Sequence, residues 1–256
     1  MEEVFKAIEA GDYYRAYEAL QRTPDARGQI GVAVGGFLLA LAERFDDADR
    51  LLANQNVPAI QLIARGERER LARWRDPQFA GSLAASVPLP YVGMYAGMAV
   101  ALLQNDEALA ARVKNDMRQI QPVPGRITVG GQVRQFANLV DADDAIGQML
   151  ETYCGQGLLY FPFATLRRVD FLPKTNFMDH YMPKVQITDT QGQTALAFVP
   201  LLYAGSSTHS DQTVRNGRMT MFDYVGEARR PRGQRDFFAD SVMIGLQGIT
   251  AIELDT

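Results

Sequence analysis

The residues best equipped for chemistry lie in DADDAIGQMLE, Asp141 to Glu151, where Asp141, Asp143 and Asp144 precede Glu151. Clustered carboxylates can hold Mg²⁺ or Ca²⁺, which take oxygen ligands, or divide acid and base roles between them. On that reading Asp141, Asp143 and Glu151, helped by arginines further along, are the active site of a metal-assisted enzyme. The neighbouring sequence gives it little support. There is no DxDxDG calcium loop and no glycine-rich phosphate loop ahead of a helix. His180 and His209 are the only histidines, so a histidine-rich zinc site is excluded and HExxH is absent. Cys154 is the single cysteine. It ends an apolar stripe and reads as a buried thiol, since a Cys–His nucleophile needs a third, orienting group. No residue is assigned as catalytic, cofactor-binding or metal-ligating.

A blander use of the acids is structural. Ile146, Met149, Leu150 and Tyr153 recur at i, i+3, i+4 and i+7, which predicts a helix with one core-facing stripe. Asp141 or Asp143 would then cap its first free N–H groups, and the other acids would favour its positive end. A third use is pairing with guanidinium groups. NGRMTMF and RPRGQRDF supply Arg218, Arg232 and Arg235, and a structural network of Asp141, Asp143 and Glu151 with Arg218 and Arg235 is expected. The cluster ARRPRGQR reads as a solvated or ion-paired loop.

The elements around this segment change character along the chain. GDYYRAYEAL, ERFDDADRLL and, more loosely, NDEALAARVK place apolar residues at helical spacing around Ala16, Ala48 and Ala110. The first two alanines stand about one tetratricopeptide-like repeat of roughly 34 residues apart. The third follows after about twice that, with the helical AIQLIARGERERLARWR between. Small residues at these points let paired helices cross closely. Such pairs leave a groove suited to a partner's peptide or helix. QPVPGR ends the helices. RITVGGQVRQF then reads as a hairpin turning at Gly130-Gly131, and GLLYFPF, KVQITDTQGQTALAFVPLLY and GITAIEL read as strands. The expectation is an α+β chain: a helical-repeat domain over 1–124 and a mixed α+β domain over 125–256.

With 256 residues, 47% of them hydrophobic and 22% charged, the composition is that of a folded globular protein. The net charge of −4 is spread evenly over both halves, so neither offers the basic surface that nucleic-acid binding needs. One cysteine allows no internal disulfide, and the acidic opening MEEVFKAIEAGD is no signal peptide, so the default expectation is a cytoplasmic protein. The uncharged stretch from Pro77 to Asn105 is cut by Ser82, Ser86, Pro88 and Pro90. It reads as a buried helix from Tyr91, with Gly93 and Gly97 admitting a neighbour, and not as a membrane span.

Six segments in order, DADDAIGQMLE, YFPF, FMDHYMP, FVPLLYAGSS, RNGRMTMFDY and RGQRDFF, resemble the ImpE/SciE (TagJ) family of type VI secretion accessory proteins. Asp141, Asp143, Gly147 and Glu151 stand at the family's acidic segment, and Pro162 and Phe163 at its WVPF-like strand. Asp179 and Pro183 match the next segment, then Pro200 and Tyr203, then Gly217, Arg218 and Thr220, and last Gly233, Gln234 and Arg235. Phe161, Tyr181 and Phe222 stand where the family has tryptophan, keeping a ring but losing the indole N–H. The resemblance implies a cytoplasmic adaptor without catalytic activity or cofactor. Its partners would be the small subunit of the contractile sheath and, in some systems, the ClpV-type ATPase, with no nucleic acid and no membrane insertion. Tyr13, Tyr17, Tyr91 and Tyr95 are candidate anchors for such a partner, or else repeat core.

Overall fold

The computed structural model describes residues 1–155 and 157–256. Helices fill the first part of the chain. α1 (Glu2–Glu9) packs on α2 (Tyr13–Gln21), α3 (Gln29–Leu41) on α4 (Phe45–Leu52), and α7 (Val92–Gln104) on α8 (Glu107–Met117). The long α5 (Pro58–Arg75) and the short α6 (Pro77–Ala80) lie between the last two pairs in sequence. Local chemistry sets several starts: Asp12 caps α2 and Asp106 caps α8 by accepting backbone N–H groups, and Pro58 opens α5. Ala16, Ala48 and Ala110 are sealed from solvent, as small residues at helix crossings should be. The central α3 is apolar almost all round, and α4 comes so near that a Cβ on Gly36 would sit 2.5 Å from the Leu52 side chain.

The stretch from Tyr91 does form the buried α7, but its glycines are not the point of close approach. A Cβ on Gly93 would meet nothing within 4 Å, and one on Gly97 would make ordinary contact with Val113 at 3.6 Å. The packing there comes instead from Met98, Ala99, Ala101 and Leu102. Among the described residues no helix is long and apolar enough to cross a membrane.

Strands take over at Gly125. They are β1 (Gly125–Val129), β2 (Gln132–Phe136), β3 (Leu139–Asp141), β4 (Met149–Cys154), β5 (Gly157–Pro162) and β6 (Leu166–Phe171). After the one-turn α9 (Met178–Tyr181) come β7 (Lys184–Asp189) and β8 (Thr194–Phe198), and after α10 (Gln212–Arg215) come β9 (Thr220–Val225) and β10 (Ala228–Gly233). β11 (Asp236–Ala239), β12 (Val242–Gly245) and β13 (Ile249–Leu254) follow. Among the described residues, eight strands form one antiparallel sheet in the order β2-β1-β13-β6-β7-β8-β4-β5. β12-β11-β3 make a smaller sheet, and β9 and β10 pair as a ribbon. Helices followed by antiparallel sheet give the α+β class that the pattern predicts. The β1–β2 turn does fall at Gly130-Gly131, both with positive φ, as a two-residue hairpin requires.

Two local expectations are overturned. DADDAIGQMLE is no helix: Asp141 ends β3, residues 142–148 turn, and Met149 begins β4. β4 is buried on both faces, so its apolar Met149, Leu150 and Tyr153 follow no strand alternation and satisfy helical spacing instead. ARRPRGQR is likewise no loop, since most of it is β10, although Arg229, Arg232 and Arg235 are ion-paired.

The halves share a core. Tyr153, Met182 and Leu202 pack with Tyr13, Phe37 and Leu38 of the helices. α5 lies against β4 and β5, so close that a Cβ on Gly66 would sit 2.2 Å from the Tyr153 ring.

Candidate functional site

The acidic segment folds through its own side chains. Asp141 Oδ1 accepts from the Asp143 N–H and Asp143 Oδ1 from the Ala145 N–H, both at 2.9 Å, turning the chain as short acidic side chains do. The Asp141 N–H donates to the Gly147 carbonyl at 2.7 Å and closes the loop. Gly147 has φ of +56°, and a Cβ there would sit 2.0 Å from the Tyr95 ring, so only glycine fits. The Tyr95 hydroxyl in turn accepts from the Gln148 N–H at 3.0 Å.

β4 then divides its side chains by face. Leu150 enters the sheet core, while Glu151 and Tyr153 point toward α5. The β5 partner of Glu151 is Tyr160, whose hydroxyl donates to Glu151 Oε1 at 2.7 Å. Arg235, between β10 and β11, reaches both acids: its Nη1 lies 2.6 Å from Asp141 Oδ2 and its Nη2 pairs with Glu151 Oε2. Its Nε donates to the Pro200 carbonyl at 3.0 Å, and its guanidinium lies 5.0 Å from the Tyr203 ring centre. The Tyr203 hydroxyl donates to Asp141 Oδ1 at 2.9 Å.

α5 supplies the other half of the cluster. Arg70 holds Glu67 through Nη2 at 2.7 Å to both carboxylate oxygens, lies 3.5 Å from Glu151, and donates to the Leu202 carbonyl at 2.5 Å. Arg73 donates to the Tyr160 hydroxyl at 2.5 Å and to the Ala145 carbonyl at 3.2 Å. The Tyr153 hydroxyl donates to Glu67 at 2.7 Å. Glu67, Arg70, Arg73, Asp141, Asp143, Glu151 and Arg235 are all buried, none more than 8% exposed. Sequence reading missed the α5 trio. Ile63, Gly66, Glu67, Arg70 and Trp74 follow one helical stripe, so these charges lie on the buried face, and that was the available signal.

Burial pushes the Asp141 carboxyl up to about 6, with the Arg235 charge opposing. Asp143 goes further, to about 8, through burial and the adjacent Asp141. Glu151 feels the same burial, but Arg235 and Arg70 outweigh it and hold the carboxyl below its ordinary value. Three guanidinium groups thus face three carboxylates, Glu67, Asp141 and Glu151, while Asp143 carries a proton at neutral pH. The assembly is a closed, charge-balanced clamp. Asp141 and Glu151 converge on Arg235 and leave no oxygen-lined hole between them. Among the described residues no three His, Cys, Asp or Glu side chains are grouped to hold a metal ion.

Other expected site residues lie elsewhere. Arg218 is exposed and takes no part in the clamp. Asp143 answers a backbone N–H and, among the described residues, no arginine side chain in hydrogen-bond range. Asp144 instead takes Arg229 at 2.8 Å and Lys114 at 3.2 Å. Asp179 organises its own loop, accepting from Thr175 and Asn176 and pairing with Lys184 at 3.2 Å. Gln234 donates to Asp236 at 3.3 Å. Of the tyrosines, Tyr17 and Tyr91 are half-buried, but Tyr13 and Tyr95 are inside. Tyr13 donates to the Arg215 carbonyl at 2.7 Å and meets Tyr181 edge-on, so the chain's own second half covers both rings and neither can anchor a partner.

Comparison with known proteins centres on this same region. Residues 133–253 match the model of the ImpE protein family. A relative from Pseudomonas aeruginosa, described as the type VI secretion system accessory component TagJ, is 32% identical over 119 residues. That match covers 46% of this chain and only 40% of the relative. A crystal structure of a Vibrio parahaemolyticus protein superposes with a TM-score of 0.77 over 99% of this chain and 97% of its own. At 15% identity that likeness shows the shared fold and nothing about activity. The clamp residues Asp141, Asp143, Glu151 and Arg235 lie within the matched segment, and Glu67, Arg70 and Arg73 outside it.

Proposed function

We propose that this protein is a non-enzymatic, cytoplasmic accessory protein of a bacterial type VI secretion system. It works by contact with the small subunit of the contractile sheath and passes that subunit to the ClpV-type ATPase. The observation that carries the reading is the fate of the acidic segment. Its best chemical groups are neutralised by Arg235, Arg70 and Tyr160 and face inward, where they serve architecture. Binding is then the activity left to the surface, and the accessory role named for the Pseudomonas aeruginosa relative supplies the context. Tyr17 and Tyr91, with part of each ring at the surface, are the tyrosines suited to a partner. Purified protein should retain the small sheath subunit in a pull-down, and Tyr17→Ala or Tyr91→Ala should weaken that capture. Retention of neither sheath subunit nor ATPase would overturn the proposal.

A further inference from the structure

Outside the clamp, the seam between the halves holds a second cluster of charge with a different character. β10 alternates its side chains. Arg229 turns to Asp144, while Arg230 and Arg232, two positions apart, share the other face. That face opens on a cleft of roughly 410 Å³ between the end of α5 and the segment 204–210. The space is within the range of ordinary ligand sites. Trp74 and Arg75 line it from α5, and Arg230, Arg232, Asp223 and His209 from the second half of the chain.

Three features make the cleft a site for a negative group. First, Arg230 is held without a carboxylate at salt-bridge distance among the described residues: its guanidinium lies 4.8 Å from the Trp74 ring centre, and Nη2 donates to the Trp74 carbonyl at 3.1 Å. Burial, reinforced by Arg232 and only partly opposed by Asp143 and Asp223, pulls its pKa below arginine's ordinary value. Secondly, Arg232 is only loosely answered. Nη1 donates to the Ala204 carbonyl at 2.9 Å, and its acid, the mostly exposed Asp223, stands 3.5 Å from Nε. Thirdly, His209 accepts the Asp211 N–H on Nδ1, leaving Nε2 as a donor, while Arg75 is already paired with Glu43. A chain of net charge −4 thus concentrates donors and positive charge in one recess.

We propose that this cleft binds the carboxylate of an acidic peptide segment from a partner protein, with Arg230 and Arg232 donating and Trp74 holding Arg230 in place. A guanidinium presents parallel N–H groups that fit a planar carboxylate. A peptide also carries backbone N–H groups that Asp223 can accept, which offsets its repulsion of the bound carboxylate; a phosphate dianion brings twice the charge to the same acid. That the peptide belongs to another protein rests on the reading of the chain as an adaptor; the cleft's affinity does not.

Trp74 is the only tryptophan, so its fluorescence reports the cleft directly. The full chain is titrated with hexaglutamate, hexaglutamine and inorganic phosphate. Hexaglutamate should give a saturable change that weakens as salt rises, and hexaglutamine none. Arg230→Gln should lower the affinity about tenfold or more while keeping the thermal midpoint. If that variant does not fold, Arg232→Gln is judged by the same loss. No response to hexaglutamate, or an unchanged affinity in the folded variant, overturns the proposal. An equally tight response to phosphate overturns it in favour of a free-oxyanion site. Because no sheath protein is present, failure here is distinct from failure of sheath capture.

Discussion

The buried acid that carries a proton offers the sharpest perturbation. Asp143→Asn keeps the side-chain oxygen that accepts the Ala145 N–H and removes only the titration. In the wild-type chain the Asp143 carboxyl titrates near 8, against an ordinary value of 3.8. Between those values the unfolded chain has released its proton and the folded chain retains it. The unfolded state then binds fewer protons, so stability falls as pH rises. From pH 4 to pH 7 the difference spans about three units at 1.36 kcal/mol each, on the order of 4 kcal/mol. The neutral amide of the Asp143→Asn variant carries no such penalty.

The variant should therefore gain on the wild type by roughly that amount across the interval, with the gain levelling off above about pH 8. Urea unfolding followed by far-UV circular dichroism at pH 5, 6, 7 and 8 measures the difference. Asp141, raised to about 6, and Glu151, lowered, titrate in both proteins and largely cancel. Parallel stability curves, with no gain over this range, would mean that Asp143 is ionised inside the fold, and the charge balance of the clamp would be refuted.

Two further outcomes follow from the same geometry. Arg235→Met strands Asp141 and Glu151 in a sealed interior and should cost about 3–5 kcal/mol at pH 7 by denaturant titration. The exposed Arg218→Met should stay within about 0.5 kcal/mol, and equal losses for the two would remove Arg235 from its assigned place. Gly66→Ala and Gly97→Ala should differ in sign. Alanine at 97 makes an ordinary contact at 3.6 Å and should stabilise by about 0.5–1 kcal/mol, whereas at 66 it meets Tyr153 at 2.2 Å and should destabilise by about 1–3 kcal/mol. A rise in melting temperature for Gly66→Ala would show that α5 does not press on β4 as described.

What the sequence made legible was local. Ala16, Ala48 and Ala110 marked helix crossings because a helix repeats every 3.6 residues and small side chains are needed where axes meet. Gly130-Gly131 marked its hairpin because few other residues accept two successive positive φ values. MLETYC escaped because a strand buried on both faces has no period to read. Arg235 was legible as a possible partner of the acids because buried carboxylates call for guanidinium groups, but Arg218, named on the same ground, lies outside at the surface. Arg70 and Arg73 had no counterpart in the sequence argument, since their acceptors beyond α5 lie 72 or more residues away. Charge on a helix reads as solvated until something is known to cover it.

That covering explains why so expensive an arrangement is placed at the seam. Removing seven ionisable groups from water costs more than their pairing reliably returns, and apolar residues of the same volume would pack as stably. Apolar faces, however, tolerate sliding. A shift of α5 by one helical turn, about 5.4 Å, would carry Arg70 away from Glu151 and the Leu202 carbonyl. It would also carry Arg73 from Tyr160, leaving buried cations unanswered. Only one register makes all of these contacts together. The same register places Trp74 and Arg75, at the end of α5, beside Arg230 and Arg232 of β10. The clamp therefore fixes the walls of the arginine cleft, and its charges act on binding through geometry, by holding two halves of one surface at a single spacing.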